Sequence, residues 1–165
     1  MSPTQVCLTM GRTKQAIGTT TNLYRGKMEL TEWVQPYSIT LVVLTTLAAL
    51  MFIQVLVADV AMIRSKHLPG HPVKADHNNF LFRATRAQAN TSETVLIYVI
   101  CALLCMVLSV KPGYANAFSV VYIVGRLGHM LCYYFDFRAF RSLSFAVSML
   151  GIASMLGAVI WAVIV

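Results

Sequence analysis

The stretch RATRAQANTSE places Arg83, Arg86, Asn90 and Glu93 at spacings i, i+3, i+7 and i+10. On a helix of 3.6 residues per turn that spacing confines them to an arc of about 80°. Further on, Tyr122, Arg126, His129, Tyr133 and Asp136 follow i, i+4, i+7, i+11 and i+14, again a single helical face. Gathered in one cavity, such groups suit a small, polar, net-anionic ligand with several carboxylate and amide groups. Arginine offers forked donors to carboxylates, Asn and Gln pair with peptide groups, and Glu93 can hold an ammonium. Gln88 falls on roughly the opposite side of the first stripe, so its helix meets polar partners in two directions, as it would at a boundary between subunits.

The elements that carry these groups are lipid-soluble. The 165 residues are 58% hydrophobic and only 12% charged, with a mean hydropathy of +0.69, well outside the range of soluble domains. Apolar runs at 39–58 and 143–165 meet the requirement of about 20 residues to cross about 30 Å of hydrocarbon. Two further spans carry the polar stripes. The expected fold is therefore all-α, an integral membrane four-helix bundle with spans at about 36–64, 80–109, 114–135 and 140–165. Long runs without period-2 alternation do not fit barrel strands. Pro112 and Gly113 in KPGY predict a tight turn. Folding there would bring Glu93 level with about residue 131 and Asn90 level with about 134, within a turn of His129 and Tyr133.

Charge orients the bundle. Arg64, Lys66, Lys74, Arg83, Arg86, Arg138 and Arg141 fall at one end and Lys111 alone at the other, so the basic end is expected to be cytoplasmic. The net charge of +7 then suits anionic lipid headgroups rather than nucleic acid. Residues 1–27 carry Arg12, Lys14, Arg25 and Lys27 with no acid and no apolar signal core. They are expected to be a leader or disordered extension upstream of a start at Met28, with the membrane domain at 28–165. Removing those four positive charges would leave +3. Cys101, Cys105 and Cys132 lie inside spans and Cys7 in the leader, without a disulfide or metal-ligand pattern. His67, His71 and His77 sit in a loop broken by Pro69, Gly70 and Pro72, and no metal site is expected.

Each polar residue also has a structural reading. Arg83 and Arg86 near a helix end can snorkel to headgroups, Arg126 can form a buried ion pair with Glu93, His129 can be a hydrogen-bonded core residue, and Asp59 can cap or pair with a nearby arginine. Intramembrane ionisable residues nonetheless favour function, and here several converge at one depth.

At these residues the sequence resembles the MAPEG family, the membrane-associated proteins in eicosanoid and glutathione metabolism. FRATRAQANTSE is similar to the family's arginine, Asn and Glu signature, especially in the leukotriene synthase branch. VGRLGHMLCYY followed by FRAFRSLSF is similar to the prostaglandin E synthase and microsomal glutathione transferase branches. The match runs over roughly 59–145. It implies a homotrimer that binds glutathione between subunits near the cytoplasmic face. By position, Arg83, Arg86, Asn90 and Glu93 would hold the tripeptide, with Gln88 reaching the adjacent site, while Arg126, His129 and Tyr133 would line it from the third span. Arg141, followed by Ser142, would stabilise the thiolate, with Arg138 as its competitor. Thr94 departs from the tyrosine of some members, and ETVLIYV lacks the proline common there.

The expected activity is a glutathione-dependent transferase or peroxidase acting on lipophilic electrophiles or hydroperoxides. Glutathione would be the cosubstrate, in the inner membrane of a bacterium or the endoplasmic reticulum of a eukaryote. The alternatives are a non-catalytic lipid-binding or adaptor protein of the same fold and, less in keeping with its unbroken spans, a small transporter.

Overall fold

Three of the four long helices end on the same device, without a glycine. Lys66, Ser109 and Asp136 each adopt positive φ, at 52°, 53° and 58°. Each stands one residue beyond a helix cap, and the next amide reaches back to close the last turn: His67 N to Met62 O at 3.1 Å, Val110 N to Cys105 O at 2.9 Å and Phe137 N to Cys132 O at 2.9 Å. This is the Schellman closure, which usually selects Gly or Asn. Lys and Ser carry a left-handed penalty of about 1–2 kcal/mol, offset by the carbonyls these closures satisfy.

The computed structural model describes residues 32–68 and 70–165. The proposed leader at 1–27 lies outside the described residues. The chain divides into Met1–Pro36, of which residues 32–34 are helical, and Tyr37–Val165. The second unit contains α1 (Ser38–Arg64), α2 (Phe80–Val107), α3 (Pro112–Tyr134) and α4 (Arg138–Ile164). No strand occurs among the described residues, and the helix limits fall within about two residues of those expected. Asn79 caps α2, its Oδ1 accepting from Leu81 N at 2.9 Å, and Pro112 opens α3 where no amide donor is needed.

α1, α2 and α4 are each long and apolar enough to cross a membrane. α3 is not apolar enough on composition, yet its 23 residues reach about 34 Å. Its polar side chains are turned inward: Ser119, Tyr122 and Arg126 are fully buried. The outer surface is apolar instead, with Val42, Phe52, Leu96, Leu150 and Trp161 among the exposed side chains, as lipid requires.

The hairpin of α2 and α3 departs from the expected register. The chain reverses around Ser109 and Val110, where Ser109 closes α2, and Pro112 already belongs to the next helix. Moving the reversal back by about two residues brings Glu93 level with about residue 126. The observed pairs agree. Thr94 Oγ1 and Tyr122 OH are 3.3 Å apart, and Tyr98 stacks on Tyr122 with ring centroids at 4.3 Å. At the same end as the reversal, Tyr37 OH donates to Val110 O at 2.6 Å, and Thr40 Oγ1 donates to Asn116 Oδ1 at 2.9 Å.

The most extensive helix contact joins α3 and α4, which approach at Gly125 and Gly151. A Cβ on Gly125 would lie 2.5 Å from Ser148 N and 2.8 Å from Ser148 Cα, and one on Gly151 would lie 2.8 Å from Tyr122 N. These neighbours are backbone, which cannot yield as a side chain can. Gly125→Ala is expected to push the helices apart and to destabilise the fold by about 1–3 kcal/mol. Unfolding in mixed detergent micelles measures this, and a wild-type midpoint would refute the close approach.

Candidate functional site

A cluster of charge forms where the α1–α2 loop meets the α3–α4 turn. Arg141, in the first turn of α4, donates from Nη1 to His77 Nδ1 at 3.0 Å and from Nη2 to Asp136 Oδ1 at 2.9 Å. Its guanidinium lies over the Tyr133 ring, 4.8 Å from the centroid. The His77 contact places the loop and the turn at one end of the bundle, so the basic residues do collect there. Arg138, the competing arginine, reaches Asp136 only at 3.4 Å, and its side chain is 63% exposed against 12% for Arg141. Burial and anchoring thus separate two arginines that spacing alone left equivalent.

Asp136 owes its place to the left-handed cap of α3, a conformation that Asp tolerates better than most residues. Partial desolvation pushes its carboxyl up. The hydrogen bond and charge of Arg138 and the charges of Arg83 and Arg141 push it down, and the net direction is downward. The shorter and less exposed contact, to Arg141, is the one least screened by solvent. A carboxyl held below its unfolded value adds stability above that value, and the gain is lost as pH falls through the depressed one. The stability difference between wild type and Asp136→Asn should therefore be constant near neutrality and shrink in acid. Thermal unfolding across acidic pH reads this, and a difference growing toward acid would contradict the sign.

Arg83 is used within its own chain. Its Nη1 donates to His77 O at 2.7 Å and Asn78 O at 3.2 Å, and its guanidinium lies 5.7 Å from the centre of the Phe80 ring. It therefore braces the loop that carries His77. Phe82 adds an edge-to-face ring contact to His77 at 5.1 Å.

Deeper in the bundle, Arg126 is completely buried. Its Nη1 donates to Asn90 O and Asn90 Oδ1, both at 3.0 Å, and its Nη2 donates to Ser148 Oγ. The Phe145 and Tyr122 rings flank it at 5.4 and 5.8 Å. The ion pair with Glu93 that is Arg126's alternative structural reading does not form among the described residues: neutral acceptors hold the charge. Enclosed in this way, Arg126 presents no surface of its own in the single chain. Asp59 is exposed and also makes no ion pair there. His129 is buried, its ring 5.0 Å from Tyr133 and 5.9 Å from Phe145.

The two stripes therefore face each other only in part. The buried row of α2 is Leu81, Ala84, Ala87, Thr91, Thr94 and Tyr98, and the stripe flanks it by one residue, or about 100°. Asn90 alone turns in to α3. Arg86 and Glu93 are exposed, Gln88 is half-buried, and neither Arg86 nor Glu93 pairs with another charge among the described residues. Sequence reasoning missed His77 and Ser148 as partners of the two central arginines. They lie 64 and 22 residues away from them, one in a polar loop and one in an apolar span, with no local signal.

A family model described as MAPEG family matches residues 40–161. The chain belongs to the MAPEG family. The match spans all four helices and every site residue from Arg83 to Arg141. A search of the curated proteins finds none that matches this chain. MAPEG membership, together with three helices apolar enough to span, makes this a membrane protein of the glutathione- and eicosanoid-related class. The loop, turn and first turns of α2 and α4 then form the polar end of this MAPEG helix bundle.

Proposed function

We propose that this MAPEG protein is a membrane glutathione-dependent transferase or peroxidase, with Arg141 stabilising the glutathione thiolate. The observation that carries the reading is the Arg141 guanidinium: largely enclosed, anchored on two sides and stacked on Tyr133. Each terminal nitrogen keeps a further N–H after these bonds, and a charge held away from bulk water acts strongly on a nearby thiol. Bound glutathione would supply the sulfur nucleophile. It bonds to an electrophilic carbon as the leaving group departs with its electron pair, or takes an oxygen from a hydroperoxide as the alkoxide leaves.

The residues present fit such a ligand. Arg86 and Glu93 carry charges of opposite sign, unpaired among the described residues, on one flank of α2, suited to a carboxylate and an ammonium. Glu93 is about 20 Å from the start of α2, near mid-helix, where a lipid-facing carboxylate would cost about 2.5–3.5 kcal/mol or more. A neighbouring subunit covering it relieves that cost, which supports a homotrimer with Gln88 turned to the adjacent site. Asn90 retains its amide N–H donors while its Oδ1 serves Arg126. Tyr133 and His129 back Arg141, and Arg83 acts by holding the loop. A groove of about 540 Å³ between α1 and α2 shares Phe80 with this cluster, and its apolar walls suit a lipophilic second substrate or a membrane lipid.

Arg86→Ala is expected to weaken glutathione binding about tenfold or more, the loss of one charge-assisted pair of about 1.5–3 kcal/mol. Calorimetric titration of the purified protein in detergent measures it. Wild-type protein that binds no glutathione would overturn the proposal. Binding without a thiolate absorbance in the ultraviolet would favour the non-catalytic lipid-binding reading, which the engagement of Arg83 and Asn90 within the subunit also supports.

A further inference from the structure

Arg141 is held by groups from both connectors at the basic end of the bundle. His77 comes from the α1–α2 loop and Asp136 from the α3–α4 turn. An arginine nitrogen can only donate, so His77 Nδ1 must be the acceptor and its proton must reside on Nε2. The loop is in turn pinned by Arg83, whose Nη1 donates to the carbonyls of His77 and Asn78. Arg141 Nε is buried without a hydrogen-bond partner among the described residues, so the guanidinium is fixed through its two terminal nitrogens.

We infer that His77 and Asp136 are positioning residues for Arg141, His77 directing its guanidinium and Asp136 moderating its charge. The inference rests on the proposed role of Arg141 toward a thiolate and adds the two residues that set its direction and strength. Their effects should have opposite signs. The neutral imidazole holds direction without offsetting charge, so its loss lets the guanidinium swing and weakens thiolate stabilisation. The carboxylate lies 2.9 Å from Nη2 and offsets part of the positive charge, so neutralising it strengthens stabilisation. Arg83 and Arg138 are the other charges acting on Asp136. Neither is altered by the substitutions below.

The test uses the full chain in detergent micelles with glutathione, following thiolate absorbance against pH together with steady-state kinetics. His77→Phe keeps a ring against Phe82 and removes the acceptor. The bound thiol pKa should rise by about one and kcat at neutral pH should fall about threefold, with glutathione affinity within about twofold of wild type. His77→Asn restores an acceptor near the Nδ1 position and should recover most of the loss. Asp136→Asn keeps an oxygen acceptor in a residue that also tolerates the left-handed conformation, and the thiol pKa should fall. Shifts of the same sign in His77→Phe and Asp136→Asn would indicate general loosening and overturn the inference. So would a wild-type thiol pKa in His77→Phe while Arg141→Ala loses the thiolate, an outcome that leaves the role of Arg141 standing. A thiolate that persists in Arg141→Ala would remove that role, and the inference with it.

Discussion

Arg141→Ala is expected to lower turnover with glutathione about twentyfold at neutral pH while changing glutathione affinity only a few-fold. A thiol of pKa about 8.5 is mostly protonated at neutral pH, and the nucleophile is the thiolate. Lowering that pKa by about two requires about 2.7 kcal/mol of differential interaction, within reach of one guanidinium shielded from water. Arg141 is so shielded and Arg138 is not, so Arg138→Ala should change turnover by no more than about twofold, as exposed charges do. Arg141→Lys should recover only part of the loss, because an ammonium cannot reproduce two anchored nitrogens and the flat face over Tyr133. Thiolate absorbance and steady-state kinetics on the same preparations separate the effects. Equal losses in Arg138→Ala and Arg141→Ala would assign both arginines to general electrostatics.

The second large effect concerns stability. Asn90→Leu, close to isosteric, is expected to destabilise the fold by about 3 kcal/mol, because it strips a side-chain acceptor from a charged guanidinium that is completely buried. Hydrogen bonds to charged groups contribute about 1.5–3 kcal/mol, and an unmet buried charge costs more than an unmet neutral group. Arg126→Met should cost less, about 1–2 kcal/mol. It orphans Asn90 Oδ1, but the backbone carbonyl of Asn90 remains in its helix and Ser148 Oγ still donates to Phe145 O at 2.7 Å. Adding Arg126→Met to Asn90→Leu should therefore recover stability, since no buried charge is then left short of an acceptor. Unfolding of the three variants in mixed micelles gives the coupling energy. A double variant less stable than Asn90→Leu would mean that Arg126 contributes chiefly through packing against Tyr122 and Phe145.

Much of the fold was legible in the sequence because lipid imposes a simple rule: a backbone crossing hydrocarbon must satisfy itself, so apolar length reads directly as helix. Hydrophobic runs located α1, α2 and α4, and helical periodicity grouped the polar residues of α3 on one face. Family membership was visible in FRATRAQANTSE and VGRLGHMLCYY and is matched over residues 40–161. Loop chemistry was read less well. KPGY pointed to a turn at Pro112, yet the reversal is made by Ser109, whose left-handed cap carries no glycine to announce it.

The sequence by itself determined that polar groups lie in two stripes at membrane depth, because residue type and helical spacing are local properties. Only the tertiary structure decided what each polar group does. Arg126 and Arg141 occur in similar company along the chain, but packing encloses one against Asn90 and Ser148 and sets the other between His77 and Asp136. The difference arises because a partner for a charge is chosen by distance in space, and antiparallel helices bring together residues that spacing along the chain does not relate.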